Sequence, residues 1–377
     1  MKVVLVGPTY PFRGGIAHYT TMLYHELAVR GHQVTLYSFK RQYPRWLFPG
    51  QTDRDPSVSK LDAPCEYTLD SLNPFTWWAT ARAIRRSSPA VLILQWWVSF
   101  FAPIWNLLAW LARRAEIKVV FICHNVLPHE QQSWDAWLAR WALRQANGFI
   151  VQSQEEKARL LTLLPGRPVE IVLHPIYDMF AQQAIPQDMA RQRLGLPQHA
   201  AVLLFFGFVR EYKGLRVLLE AMPAVRARLP DIRLLIAGEF WQDKQTYLDQ
   251  IKRLGIGQNV VVVDSYISNE EVPVYFSAAD VLVLPYTQVT QSGVVQLAFG
   301  FGLPVITTQT GGLSEIVTDC RTGLLVPPQD TEALEHAICR FFVEGLGMQL
   351  GAGIRAQRQN FGWARLATAI ERFSRDD

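Results

Sequence analysis

What is scarce in this 377-residue sequence narrows the choices first. Only four cysteines occur, Cys65, Cys123, Cys320 and Cys339, at no spacing that metal sites use and too few to staple a chain of this length. Zinc binding and a disulfide framework are therefore set aside, and a reducing cytoplasm is the expected compartment. Charge is sparse as well: 19% of residues are charged and the net charge is +4, too little to make nucleic acid a first partner. There is no Walker-type loop, no GxGxxG, no HExxH and no paired CxxC, so P-loop, dinucleotide-redox and zinc chemistries lose their support. The opening run Met1-Lys2-Val3-Val4-Leu5-Val6 meets Gly7 too soon for a secretory leader and reads as a first strand.

What is present is apolar. At 49% hydrophobic residues the chain fills large cores, which excludes disorder as its main state, and its length calls for two domains. The basic charge is uneven: residues 1–170 hold 19 basic and 12 acidic groups, the remainder 18 and 21. One stretch, Val91 to Ala112, runs 22 residues without a charge and meets the length of a membrane span. Gln95, Ser99, Pro103 and Asn106 interrupt it, so it divides into a strand, a Trp-rich turn and a helix starting near Pro103. The milder option is an aromatic, basic face resting on anionic lipid.

Strand and helix patterns alternate along nearly the whole chain, which specifies an α/β fold of doubly wound parallel sheets. The first series predicts strands at Met1–Val6, Val34–Tyr37, Val91–Leu94, Lys118–Cys123, Gly148–Gln152 and Val169–Leu173. Residues 40–76, rich in Pro, Arg and aromatics (Arg41, Tyr43, Arg45, Trp46, Phe48), read as a long mobile surface excursion. A helix is expected over Trp134–Gln145, where Trp134, Trp137 and Trp141 share a face that is either a core stripe or a membrane- or acceptor-facing surface. His174-Pro175-Ile176 reads as a linker, after which the alternation restarts at Ala201–Phe206, Ile232–Ala237, Val260–Val263, Val281–Leu284 and Pro304–Thr307. Ser268-Asn269-Glu270-Glu271 has the spacing of a capping box and predicts a helix start. The division expected is 1–174, 175–360 and a closing helix in 361–377, with the active site in a cleft at the carboxyl ends of both sheets.

The strongest cluster is Gly207-Phe208-Val209-Arg210-Glu211-Tyr212-Lys213-Gly214, an Arg and a Lys three apart in the loop after a strand. Two cations there, backed by a helix N-terminus, suit a diphosphate; otherwise they are solvated loop charges. Thr290-Gln291-Ser292-Gly293-Val294 opens a second helix whose first N–H groups can take phosphate, unless Ser292 is simply an N-cap. Gly14-Gly15 after the first strand is a weaker loop of the same kind, and His124-Asn125 is a polar pair ending an apolar strand, where a satisfied structural histidine is the plain alternative.

Taken together these residues resemble the retaining nucleotide-sugar glycosyltransferases of family 4 (glycosyl transferases group 1), with the GT-B architecture of two Rossmann-like domains. Further residues carry the resemblance: Ala278 to Pro285, Phe299 to Ile306, Gly311 to Ile316 and Thr322 to Pro328. The resemblance implies transfer of a hexose from a nucleoside-diphosphate sugar, held by the second domain, to a glycan or lipid-linked acceptor held mainly by the first. It implies that Arg210 and Lys213 neutralise the leaving diphosphate, with Gly207, Gln291, Ser292, Gly293 and Val294 around the donor, so that neither a metal nor a cofactor is required. His124 would contact the transferring sugar, Gly15 the diphosphate and acceptor, and Gly14 and Asn125 the acceptor. One departure stands out. The family usually carries two glutamates eight residues apart where this chain has Val289 and Leu297, with Gln288, Gln291 and Gln296 beside them to take over sugar or ribose contacts. That departure leaves two rivals, a noncatalytic binding or scaffold protein and a sugar-nucleotide epimerase. A cytoplasmic location, peripheral at the inner membrane face, completes the expectation.

Overall fold

The computed structural model describes residues 1–375 apart from 45, 47–49, 51, 129–131 and 242, so Arg45 and Phe48 of the expected excursion lie outside the described residues. The chain forms two compact units, one from Met1–Pro56, Lys60–Leu173 and Gly362–Asp377, the other from Ser57–Ser59 and His174–Phe361.

The first unit is built on seven parallel strands: β1 (Lys2–Val6), β2 (Gln33–Arg41), β3 (Glu66–Asp70), β4 (Val91–Trp96), β5 (Lys118–Cys123), β6 (Gly148–Val151) and β7 (Val169–Ile171), in the order β3-β2-β1-β4-β5-β6-β7. Val4 pairs with Thr35 on one side and Leu92 on the other, which sets the register of the centre. Because both faces are covered, the central strands are near-continuous runs of buried Val, Leu and Ile. One face packs on helices Pro74–Ser87, Ala102–Arg113 and Asp135–Leu143 through Ile84, Trp105, Leu108 and Leu143. The other meets helix Gly15–Val29 and the C-terminal helix Trp363–Arg375 through Tyr19, Leu23, Leu366 and Ile370. The C-terminal helix is pinned by Glu371, which accepts a two-pronged contact from Arg30 (2.9 Å each) and one from His32 (2.9 Å). The Arg30 guanidinium above all holds the Glu371 carboxyl down to about 2.

The second unit repeats the plan with six parallel strands: β8 (Val202–Phe206), β9 (Arg233–Ala237), β10 (Val260–Val263), β11 (Val281–Leu284), β12 (Val305–Thr308) and β13 (Gly323–Val326), ordered β10-β9-β8-β11-β12-β13. Ser57–Ser59 groups with it because Ser57 Oγ accepts from the Asn269 N–H (2.8 Å) and the Glu270 carboxylate accepts from the N–H groups of Val58 (3.2 Å) and Ser59 (3.3 Å).

Each sheet reverses its strand order at one point, between β1 and β4 in the first unit and between β8 and β11 in the second. Ligands of open parallel sheets bind at the carboxyl ends beside such a reversal, where the flanking connections leave on opposite faces.

Several expectations need correction. The span candidate does divide into β4, a short turn and helix Ala102–Arg113, and among the described residues no helix is long and apolar enough to cross a membrane. Residues 40–76, however, contain the end of β2, all of β3 and the start of helix Pro74–Ser87; β3 is an edge strand of mixed exposure, without the apolar run that flagged its neighbours. The capping-box reading at Ser268 fails by one turn. Ser268 O accepts from both Glu271 N and Val272 N, making a turn, and the helix runs Val272–Ala278 with Pro273 in its first turn. His174–Ile176, read as a linker, lies where the second unit begins; it is buried, and Ile176 N–H donates to Phe361 O (3.0 Å). On helix Asp135–Leu143 the core face is Ala139, Ala142 and Leu143; Trp134 and Trp137 lie outside, 58% and 65% exposed.

Candidate functional site

In the second unit the polypeptide leaves β8 through Gly207, whose φ of +87° is open chiefly to glycine. Its missing side chain also matters for space: a Cβ there would stand 3.0 Å from Lys213 Nζ and 3.5 Å from Val294 Cγ2. The lysine amine, the first turn of helix Gly293–Gly300 and the backbone of Gly207 therefore converge on one spot. After the short turn Glu211–Lys213, Gly214 at φ +76° starts helix Leu215–Arg228, and a Cβ on it would fall 1.8 Å from Pro285 O. Only glycine lets the loop lie this close to the end of β11.

The two motifs, far apart in sequence, are stitched together here. Thr287 N–H donates to Tyr212 O (2.8 Å), and the rings of Tyr212 and Tyr286 stack with centroids 6.1 Å apart at 15°. The buried Tyr286 hydroxyl lies 2.8 Å from Ser292 Oγ, which in turn accepts from Val295 N–H (3.4 Å) as the helix cap. Ser292 is thus an N-cap, and it is also the link between the helix tip and the cation loop. The Arg210 guanidinium is held over the rings of Tyr212 (5.3 Å) and Trp241 (5.5 Å). Burial, assisted by the nearby Arg210 charge, brings the Lys213 amine down to about 7. A helix tip, an arginine and a buried lysine whose charge burial disfavours are suited to receive an anion that arrives with its own charge.

Two further residues of this corner went unread in the sequence. A Cβ on Gly293 would lie 3.6 Å from Tyr177 and 3.7 Å from His174 Nε2, so the supposed linker packs against the helix tip. His174 Nδ1–H donates to Pro175 O (2.8 Å), which leaves Nε2 to accept from the Tyr177 hydroxyl (3.4 Å), and burial holds the imidazole down to about 4. Val289 and Leu297 are buried apolar side chains, and neighbouring Gln296 is wholly buried with both atoms of its amide unpaired, as is Oε1 of Gln291. Gln288 is exposed.

In the first unit Gly14 (φ +108°) caps helix Gly15–Val29, and nothing lies within 4 Å of where a Cβ would be on Gly14 or Gly15. His124, just past β5, is 3% exposed and has the surroundings of a satisfied structural histidine. Its Nε2–H donates to Gln95 Oε1 (2.7 Å), the Gln152 amide donates to Nδ1 (3.4 Å), and the Tyr19 ring meets it edge-on at 4.7 Å. A Cβ on Gly7 would come within 2.6 Å of Gln95 Cγ, so that glycine makes room for the amide. Asn125 follows, half-buried.

Comparison with known proteins adds the family. The description "Glycosyl transferases group 1" matches residues 200–343, and "Glycosyl transferase 4-like domain" matches residues 14–176. The GDP-mannose-dependent alpha-(1-6)-phosphatidylinositol monomannoside mannosyltransferase of Mycolicibacterium smegmatis is 30% identical over 347 residues, 87% of this chain and 85% of that protein. The chain belongs to the group 1 glycosyltransferases. Among other relatives of this glycosyltransferase, the D-inositol 3-phosphate glycosyltransferase of Streptomyces scabiei is 31% identical over 239 residues, 60% of this chain; the match spans about half of that relative's length (53%). The Anabaena protein HepE, solved in complex with UDP-glucose, superposes with a TM-score of 0.75 at 17% identity, covering 99% of this chain and 98% of that one, and places the glycosyltransferase in the GT-B fold.

Proposed function

We propose that this glycosyltransferase moves a hexose from a nucleoside-diphosphate sugar to a glycan or lipid-linked acceptor, with retention at the anomeric carbon and without a metal ion, at the cytoplasmic face of an anionic membrane. The observation that carries the reading is the convergence of Lys213, Arg210 and the Ser292-capped helix tip on Gly207. A GDP-mannose-dependent relative and a neighbour holding UDP-glucose support a nucleoside-diphosphate hexose as donor.

As the anomeric C–O bond breaks, the sugar gains positive charge and the diphosphate negative charge. Donors fixed in advance around the departing anion lower that barrier without reorganising. Arg210 supplies a permanent charge steadied by two rings, and Lys213 takes up a proton as the anion approaches. The helix tip aims N–H groups at the remaining oxygens. Gln291 Oε1 and both amide atoms of Gln296 are unpaired beside the positions where the family resemblance implies glutamates, and a donor hydroxyl reaching them would satisfy them. In the first unit, the family reading would set His124 against the sugar, which requires it to exchange a bond to Gln95 or Gln152 for one to the substrate, and Gly14, Gly15 and Asn125 beside the acceptor. Retention and the acceptor class follow the family reading alone.

Calorimetry against UDP-, GDP- and ADP-sugars, followed by transfer assays with and without EDTA and NMR assignment of the product anomer, tests each part. The apolar Val289 and Leu297 favour one rival, a noncatalytic scaffold, which would neither bind nor slowly hydrolyse any donor. An epimerase would turn over donor with no acceptor present.

A further inference from the structure

The three helices on one face of the first sheet, Pro74–Ser87, Ala102–Arg113 and Asp135–Leu143, lie side by side as a single layer. Asn106 of the middle helix ties it to the third by donating to Trp141 O (2.7 Å). The inner side of the layer is ordinary core. The outer side is unusual in combining large exposed aromatics with arginines.

Phe75 and Trp78 on the first helix are 85% and 53% exposed, and Trp134 and Trp137 at the third add two more exposed rings. Exposed Trp137 stacks in parallel, 6.1 Å between centroids, on Trp141, which is half-buried against the core. Between and beside them stand exposed Arg82, Arg85, Arg86, Arg113, Arg114 and Arg140. Arg114 lies over the Trp110 ring at 4.1 Å, an arrangement that lets a charge sit against an apolar surface. The one acidic side chain in the three helices, Asp135, is buried and occupied, accepting from Ser99 Oγ and from Gln132 N–H (2.7 Å).

Exposed indoles are costly in water and favourable at the level of lipid headgroups, where one edge of the ring stays wet. Exposed Glu116 follows the middle helix, but the six arginines outnumber it, and such an excess is drawn to a negatively charged surface. A second copy of this chain would press one arginine set against another, so charge disfavours self-association through this layer. We infer that this three-helix layer is a docking face for an anionic lipid bilayer, with the Trp134, Trp137, Phe75 and Trp78 rings entering the interface and the arginines meeting lipid phosphates. The face belongs to the first unit alone, and its docking does not depend on the donor reading.

The test uses the full chain with unilamellar vesicles of phosphatidylcholine alone or mixed with phosphatidylglycerol. Sedimentation should carry the protein down with the anionic vesicles only, release it at high salt, and be accompanied by a blue shift of tryptophan emission. Trp134→Ser with Trp137→Ser should weaken partitioning about tenfold or more, and Arg85→Ala with Arg86→Ala by roughly thirtyfold, with unchanged melting temperatures. A variant that melts early is replaced by Trp134→Tyr with Trp137→Tyr, which keeps ring area and should retain binding. Equal binding to neutral and anionic vesicles, undiminished binding by both double variants, or an arginine-dependent dimer in place of vesicle binding would overturn the assignment. So would salt-sensitive binding of RNA in preference to anionic vesicles.

Discussion

The carboxyl ends of the two sheets are built alike and furnished differently. Both sit at a strand-order reversal, and both use a glycine just past the first strand, Gly7 or Gly207, to let a polar side chain lie across the backbone. In the first unit that side chain is Gln95, part of a neutral set with His124 and Gln152. In the second it is Lys213, part of a cationic set with Arg210. One framework thus carries a neutral hydrogen-bonded set at one place and a cationic set at the other, which on the proposed reading face a sugar and an anion. The fold supplies the location; two or three side chains supply the chemistry.

The comparison breaks if the cationic end proves dispensable. Lys213→Met should lower transfer by about a hundredfold to a thousandfold while the protein melts at a higher temperature, because a buried amine whose charged form is disfavoured gives way to an apolar chain. Activity retained in that variant removes Lys213 from the reaction. Arg210→Ala should cost a similar factor with no gain in stability.

The pH behaviour sharpens the contrast. Lys213 is held near 7 in the free protein, and a bound diphosphate raises it, so binding takes up a proton. Donor affinity should therefore fall as pH rises above about 7, by up to about tenfold per unit, and calorimetry in buffers of different ionisation enthalpy should show the proton uptake. Lys213→Arg should flatten the dependence. Stability of the unliganded protein should run the other way, rising with pH between about 7 and the ordinary lysine value, since the unfolded chain holds the extra proton there.

A smaller effect concerns His174. Its folded value near 4 lies below the ordinary histidine value near 6.5, so the unfolded state binds the proton first and stability should drain away as pH falls between those limits. Denaturant titrations should show a loss of up to about 3 kcal/mol across that window, absent in His174→Gln. At the neutral end, Gln95→Leu should lower transfer by roughly tenfold and leave donor affinity unchanged. If donor affinity fell instead, the division of labour between the two ends would be wrong.

Much of the fold was legible because buried parallel strands advertise themselves as short apolar runs, as Val91-Leu92-Ile93-Leu94 and Val281-Leu282-Val283-Leu284 do. The edge strand Glu66–Asp70 did not, since only Leu69 among its five residues is fully buried. The Trp134, Trp137, Trp141 stripe has helical spacing on whichever side it lies, and the smaller Ala139, Ala142 and Leu143 already fill the inward side. At the candidate site, the Arg210–Lys213 loop could be found from local order alone. His174 could not: a His-Pro pair reads as a connection, and its meaning comes from packing against Gly293, a contact no local pattern encodes. Val289 and Leu297 were visible as departures, but that Gln296 beside them is buried with an unsatisfied amide is a fact of packing.

The Tyr286 phenol, touching the Ser292 hydroxyl while its ring lies on Tyr212, makes the loop and the helix tip one device. Exchanging one half alone would remove a partner of that contact. A chimera that took residues 286–300 from a distant relative and kept 207–214 should keep its donor affinity only where the incoming segment supplies a hydroxyl-bearing ring at 286 and a hydroxyl at 292.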